Sequence, residues 1–107
     1  MRRGVLRSAH NERWWDAELY RLRGKFLLML GSDDSDVEAA FFHAIEIAQA
    51  QQARSLELRA TMSLARLWNT RQRSNDARHQ LQDIYGWFTE GFETPDLQEA
   101  RLLLEQL

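Results

Sequence analysis

The chain has 107 residues, enough for one domain, with 44% hydrophobic and 28% charged residues, as in ordinary soluble globular proteins. The 14 Lys and Arg against 16 Asp and Glu leave a net charge of −2, which excludes a generically basic nucleic-acid binder and an acidic disordered tail. With no cysteine there are no disulfides, thiolate zinc sites or cysteine nucleophiles, and one proline with five glycines is too little punctuation for an all-β fold.

Residues 1–11 read as an N-terminal extension. Met1-Arg2-Arg3 is basic, but no apolar run of about 7–15 residues follows, as a secretory signal requires. The longest apolar run, Phe26 to Leu30, falls far short of the about 20 residues of a membrane span. The expectation is a cytoplasmic chain that does not engage a membrane.

Helical periodicity then runs nearly throughout, predicting an all-α fold of about five helices. Trp15, Leu19, Leu22, Phe26 and Met29/Leu30 recur at three- and four-residue steps, an amphipathic stripe expected to face the core. It predicts helix 1 over 12–30, with Asn11 as N-cap and Gly31 as stop. Ser35 and Glu38 have capping-box spacing before helix 2 at 36–52, whose inward face is Val37, Ala40, Phe41, Ala44, Ile47 and Ala48. Leu56/Leu58, Met62, Ala65 and Leu67/Trp68 predict helix 3 over 55–71. No glycine or proline separates helices 2 and 3, so one long helix is an alternative; Ser55 as an N-cap favours the break. Ser74-Asn75-Asp76 opens helix 4 at 75–90, with Ala77, Leu81, Ile84, Tyr85 and Phe88 inward and Gly91 as its end. Thr94 caps helix 5 at 95–107, with Pro95 at the first helical position, where its missing N–H costs nothing. Its stripe is Leu97, Ala100/Arg101, Leu104 and Leu107.

An internal repeat underlies these helices. Helices 1 and 3 superpose at an offset of 41, which sets Gly24 on Ala65, Lys25 on Arg66, Phe26 on Leu67 and Gly31 on Gln72. Helices 2 and 4 superpose at an offset of 40, which sets Val37 on Ala77, Phe41 on Leu81 and Ala44 on Ile84. A small residue at mid-helix lets backbones approach, and a large one fills the space beside it.

These residues resemble the tetratricopeptide repeat. Leu22-Arg23-Gly24-Lys25-Phe26-Leu27 through Gly31, followed by Val37, Phe41 and Ala44, is similar to one unit; Leu64 to Trp68, followed by Ala77, Leu81 and Ile84, is similar to a second. Arg23 stands where the family usually has leucine, the closing proline of each unit is missing, and the offsets of 40 and 41 exceed the family's usual 34. Residues 12–24, 56–68 and 85–97 also resemble the C-terminal helical-repeat tails of large bacterial proteins, where such a tail follows a nucleotide-cyclase or ATPase module. The resemblance implies units at 12–53 and 54–91, a final helix at 95–107, and a protein-interaction tail, freestanding or part of a longer parent.

Catalytic signatures do not emerge. No phosphate-cradling glycine loop is present, and His10, His43 and His79 form no His-x-x-x-His pair. Asp33 to Asp36 has oxygen ligands but lacks the glycine and distal glutamate of a calcium loop, and reads as a dipole-favoured helix start. The expectation is a non-enzyme with no metal and no cofactor. Adjacent aromatics on a helix point about 100° apart, so in Trp14-Trp15 and Trp87-Phe88 only one ring of each pair can face inward. Trp14 and Trp87 are therefore candidate interface residues, since tryptophan is enriched at binding hot spots.

Charge is segregated by helix: residues 1–25 carry +4, 26–53 carry −5, 54–79 carry +4 and 80–107 carry −5. In the repeat geometry that the resemblance implies, first helices line the inner face. Its candidates are Glu18, Arg21, Lys25, Leu28 and Met29 of helix 1, and Arg59, Met62, Arg66, Asn69 and Thr70 of helix 3. Arg21, Lys25, Arg59 and Arg66 would form a basic groove for an acidic peptide or carboxylate terminus, the guanidinium fork suiting a carboxylate. Opposite charges on adjacent helices would alternatively form exposed ion pairs within the chain. The partner expected is a protein or acidic peptide, or a second copy that covers the flank left by an unpaired helix. Nucleic acid is not expected, because acidic helices interrupt any basic face.

Overall fold

The computed structural model describes residues 13–89 and 94–107. They form five α-helices and, among the described residues, no strand: α1 Asp16–Met29, α2 Asp34–Ala50, α3 Arg54–Thr70, α4 Ser74–Tyr85 and α5 Pro95–Gln106. Tight turns of three or four residues make α1, α2, α3 and α4 successive antiparallel neighbours. Each packs on the next, α1 also packs on α3, and α3 on α5, so two helical hairpins and a final helix stack side by side. The expected extension at 1–11, the Asn11 cap and the Gly91 stop lie outside the described residues.

One device ends each of the first three helices. Gly31, Gln52 and Gln72 adopt left-handed φ of 78°, 56° and 63°. In each case the residue after it donates its N–H to a carbonyl five positions back: Ser32 to Leu27, Ala53 to Ala48 and Arg73 to Trp68, at 2.8–3.0 Å. These bonds satisfy helix-end carbonyls that would otherwise lack partners. Gly31 and Gln72 are repeat equivalents, and so are their bonds.

The same geometry makes helices 2 and 3 separate. The break comes from Gln52, not from Ser55, which lies inside the first turn of α3. The expected capping box is also absent: α2 starts two residues early, at Asp34, with Asp33 as N-cap. Glu38 is drawn elsewhere, its carboxylate accepting from Trp68 Nε1 at 3.0 Å and from Arg73 Nη1 at 3.3 Å. Helix 1 starts at Asp16 rather than residue 12, and helix 4 ends at Tyr85 rather than residue 90, so Phe88 reaches the core from beyond the helix. Thr94 and Pro95 behave as expected: the Thr94 hydroxyl accepts from the Leu97 N–H, and Pro95 opens α5.

The core lies between the hairpins, with α3 at its centre and buried on almost every side. Phe41, Leu58, Leu64, Leu67, Leu81 and Val37 are its largest fully buried side chains. Val37 and Ala77, Phe41 and Leu81, and Ala44 and Ile84 are all buried, as the repeat alignment requires. On α5, Leu103 joins Leu97 and Ala100 inside while Arg101 stays exposed.

Helix α1 departs from expectation. Its buried residues are Ala17 and Gly24. A Cβ on Gly24 would meet the Phe41 ring at 2.5 Å, so the two helices cross where only glycine fits. The apolar stripe lies on the opposite side, in solvent: Trp15, Leu19, Leu22, Phe26, Met29 and Leu30 are 41–82% exposed.

Candidate interaction surfaces

Of the predicted inner face, Met29 turns outward with the apolar stripe and Met62 is buried, while Arg21, Arg59 and Arg66 are already engaged. Arg21 donates to Glu18 through Nε at 2.8 Å and Nη2 at 3.1 Å. Arg59, from α3, joins the same carboxylate through Nη1 at 3.4 Å and reaches Asp96 of α5 through Nε at 2.9 Å. One turn-pair further along α3, Arg66 pairs with Glu99 of α5. The two arginines hold Glu18 ionised, below the usual carboxylate range, the Arg21 hydrogen bonds contributing most against the opposing effect of burial. Asp96 and Glu18 together push Arg59 further toward its charged form, the Asp96 hydrogen bond leading. Lys25 differs: it has no carboxylate within ion-pair distance among the described residues, and it lines a cleft with Leu28, Ser63, Arg66 and Thr70. Asn69 turns toward the α3–α4 junction, its Oδ1 accepting from Ser74 Oγ at 3.2 Å.

A second set of pairs ties the hairpins together. Arg71 forks onto Asp34 with Nε and Nη2 at 2.7 and 2.9 Å, holding that carboxyl below its ordinary range through these hydrogen bonds first and charge second. Arg73 covers the Trp68 ring at 4.3 Å while bonding Glu38 and Asp76. Much of the alternating helix charge is thus met within the chain, across α1–α3, α2–α3 and α3–α5. Solvent screening leaves exposed pairs of this kind with little net effect on stability.

The two candidate interface tryptophans lie on different elements. Trp14, 70% exposed, stands edge-on to Trp15 at the start of α1. Trp87 follows α4, edge-on to Phe88 with the Arg54 guanidinium 4.8 Å from its ring centre, and is 54% exposed.

Sequence reasoning placed the α1 stripe in the core, and the structure turns it outward. A signal for this was present. Gly24 was expected at the helix crossing, and it lies about 160° around the helix from Phe26 at 100° per residue. A single neighbour cannot cover both. In α3 the equivalents of Trp15, Leu19, Leu22 and Phe26, namely Leu56, Ala60, Ser63 and Leu67, are buried or half-buried because the first hairpin lies against them, whereas Thr70 and Arg71, the equivalents of Met29 and Leu30, are exposed. Leu56 packs on Ile47 and Ala48 of α2, for example. No hairpin precedes α1 among the described residues, so its corresponding face stays open.

Among the described residues, no group of three or more His, Cys, Asp and Glu side chains is placed to hold a metal ion, and no helix is long and apolar enough to cross a membrane. His43 lies 3.8 Å from Glu46 and edge-on to Tyr20, a local surface cluster. Comparison of the chain with protein-family models, curated proteins and solved structures gives no match.

Proposed function

We propose that this chain is a non-catalytic protein-interaction module built from tetratricopeptide-like helical hairpins, and that it binds protein through the outward face of α1. The observation that carries the reading is the exposure of a continuous four-turn apolar stripe, Trp15 to Leu30, on a helix that is anchored from the opposite side by buried Ala17 and Gly24. Contiguous apolar surface on a folded domain marks an interaction site. Trp14 extends the stripe with a large rigid ring of the kind that anchors interfaces. The basic inner face is the weaker candidate for an acidic peptide, because Glu18, Asp96 and Glu99 already occupy its arginines and a ligand would have to displace them.

A photoreactive benzoylphenylalanine at position 26 tests the reading, with the same group at exposed Gln82 of α4 as control. Illumination at position 26 is expected to give a protein adduct that Leu22→Asp removes. Equal adducts at both positions, or none at position 26, would overturn it.

A further inference from the structure

The exposed stripe of α1 has heptad form. Trp15, Leu22 and Met29 are seven residues apart, Leu19 and Phe26 fall between them, and the alternating steps of four and three define a two-stranded helical seam. Ala17 and Gly24, buried against the body of the protein, are the positions directly behind the seam. One flank carries Asp16 and Arg23; the other carries Glu18 and Lys25. On both flanks the acid precedes the base by seven residues. We infer that this seam binds a second copy of itself, α1 against α1 in antiparallel orientation.

Geometry favours that occupant. A two-fold axis perpendicular to a helix pair reverses direction and sets each flank against its own kind. Asp16 of one copy then faces Arg23 of the other, and Glu18, which already holds Arg21 and Arg59 of its own chain, faces Lys25, so each flank sets acid against base. The same register sets Trp15 against Phe26 and Leu19 against Leu22. The flank pairs and the apolar layers agree in register to within two residues, about 3 Å of helix. A parallel pair would match only Glu18 with Arg23 across the seam. Lys25, which finds no carboxylate within its own chain among the described residues, acquires one in the antiparallel pair.

At 41–59% exposure, Trp15, Leu19, Leu22 and Phe26, the seam residues that meet a counterpart in this register, leave roughly 400 Å² uncovered, taking about 150–250 Å² for a large side chain, and the flanking charged side chains add to it. A specific interface takes about 800 Å² from each partner, whereas the largest apolar patch on an ordinary monomer is about 300–600 Å². The 14-residue helix is short for an isolated coiled coil, but α2 and α3 hold it in place before association, which lowers the ordering cost. The symmetry is closed, so association stops at two copies.

This inference rests on the proposed interaction role of α1 and adds the identity of the partner. Sedimentation equilibrium of the full chain at micromolar concentration is expected to show a dimer. Each dimer buries two copies of Leu22, so Leu22→Asp is expected to raise the dissociation constant by about 100-fold or more, with helical circular dichroism unchanged because the site is exposed. Arg23→Asp alone is expected to weaken the dimer, and Asp16→Arg combined with Arg23→Asp to restore it. The absence of native cysteine makes direction measurable. Mixed Trp15→Cys and Phe26→Cys chains are expected to form the 15–26 disulfide under mild oxidation. In the antiparallel pair two copies of position 15 lie about 16 Å apart along the axis and cannot join. A monomeric wild-type chain, a dimer indifferent to Leu22→Asp, or 15–15 and 26–26 disulfides would each overturn the inference. If the chain is monomeric while position 26 still cross-links to a different protein, the interaction role stands and the second copy does not.

Discussion

Gly24→Ala makes the sharpest test of how the first hairpin is held. In an exposed helix the change would stabilise by about 1 kcal/mol, since alanine restricts the unfolded chain and glycine does not. Here the new Cβ would sit 2.5 Å from Phe41 Cε1 and 2.7 Å from Cδ1, more than 0.7 Å inside ordinary contact. The ring is 1% exposed and belongs to the core cluster, so it relieves the overlap only by shifting toward the Lys25–Arg66 cleft that it lines, at the expense of its core contacts. Overpacking costs about 1–3 kcal/mol, and a fixed aromatic against a helix backbone belongs in the upper half of that range. The expected net loss is therefore about 1–2 kcal/mol, or about 5–10 °C in melting temperature for a domain of this size. The repeat supplies the control. The second hairpin has Ala65 and Leu81 where the first has Gly24 and Phe41, and both are fully buried. Phe41→Leu alone leaves a partial void and costs about 1–1.5 kcal/mol. Combined with Gly24→Ala it should cost less than the two losses added, because the methyl group enters the space that the ring vacates. Urea unfolding of the four proteins reads all of these terms. A stabilised Gly24→Ala protein, or strictly additive single changes, would refute the close crossing.

Gln52 and Gln72 hold left-handed backbone that costs a residue with a Cβ about 1–2 kcal/mol and glycine almost nothing, so Gln52→Gly and Gln72→Gly should each raise the melting temperature. Gly31→Ala should lower it, and its Cβ would meet nothing within 4 Å, so the effect isolates backbone strain from crowding. Glu18 is held ionised by Arg21 and Arg59, so its folded pKa lies below its unfolded one. The stability it contributes is complete above the unfolded carboxylate range and is lost as pH falls through the folded value. Glu18→Gln should remove that part of the acid dependence, and unfolding midpoints measured against pH should then fall less steeply; an unchanged slope would contradict the pairing.

Reading from sequence worked wherever local chemistry acts alone. The count of five helices, the Gly31 stop and the Thr94-Pro95 start depend on periodicity, on a residue that tolerates positive φ, and on a cap three positions from its donor. The buried faces of α2 and α4 were equally legible, because those helices meet the rest of the chain through their large apolar residues. The α2–α3 break was not, since the hydrogen bonds around Gln52 make the turn and no residue type announces them. Ser35, Glu38 and Ser55 show the converse. Each has the right spacing for a cap, yet a tertiary partner such as Trp68 for Glu38 can take the same side chain away.

Of the candidate interaction residues, Arg21, Lys25, Arg59 and Arg66 were grouped through the repeat geometry that the resemblance implies; in the structure Arg21 and Arg59 share Glu18, and Lys25 and Arg66 line one cleft. Arg21 finds its partner Glu18 three residues away, but Arg59 and Arg66 draw Asp96 and Glu99 from α5, and no spacing rule reaches across 37 or 33 residues.

What the amino-acid sequence determined by itself, then, was that this is an all-α chain of amphipathic helices in repeating pairs, because periodicity and end signals are local properties. Only the tertiary structure decided which way α1 faces. An amphipathic stripe specifies that a helix will bury one side, but not against what. The small residues Ala17 and Gly24 let α1 approach its neighbours more closely than its large ones could, so they took the core, and the seam that looked most like core was left facing outward.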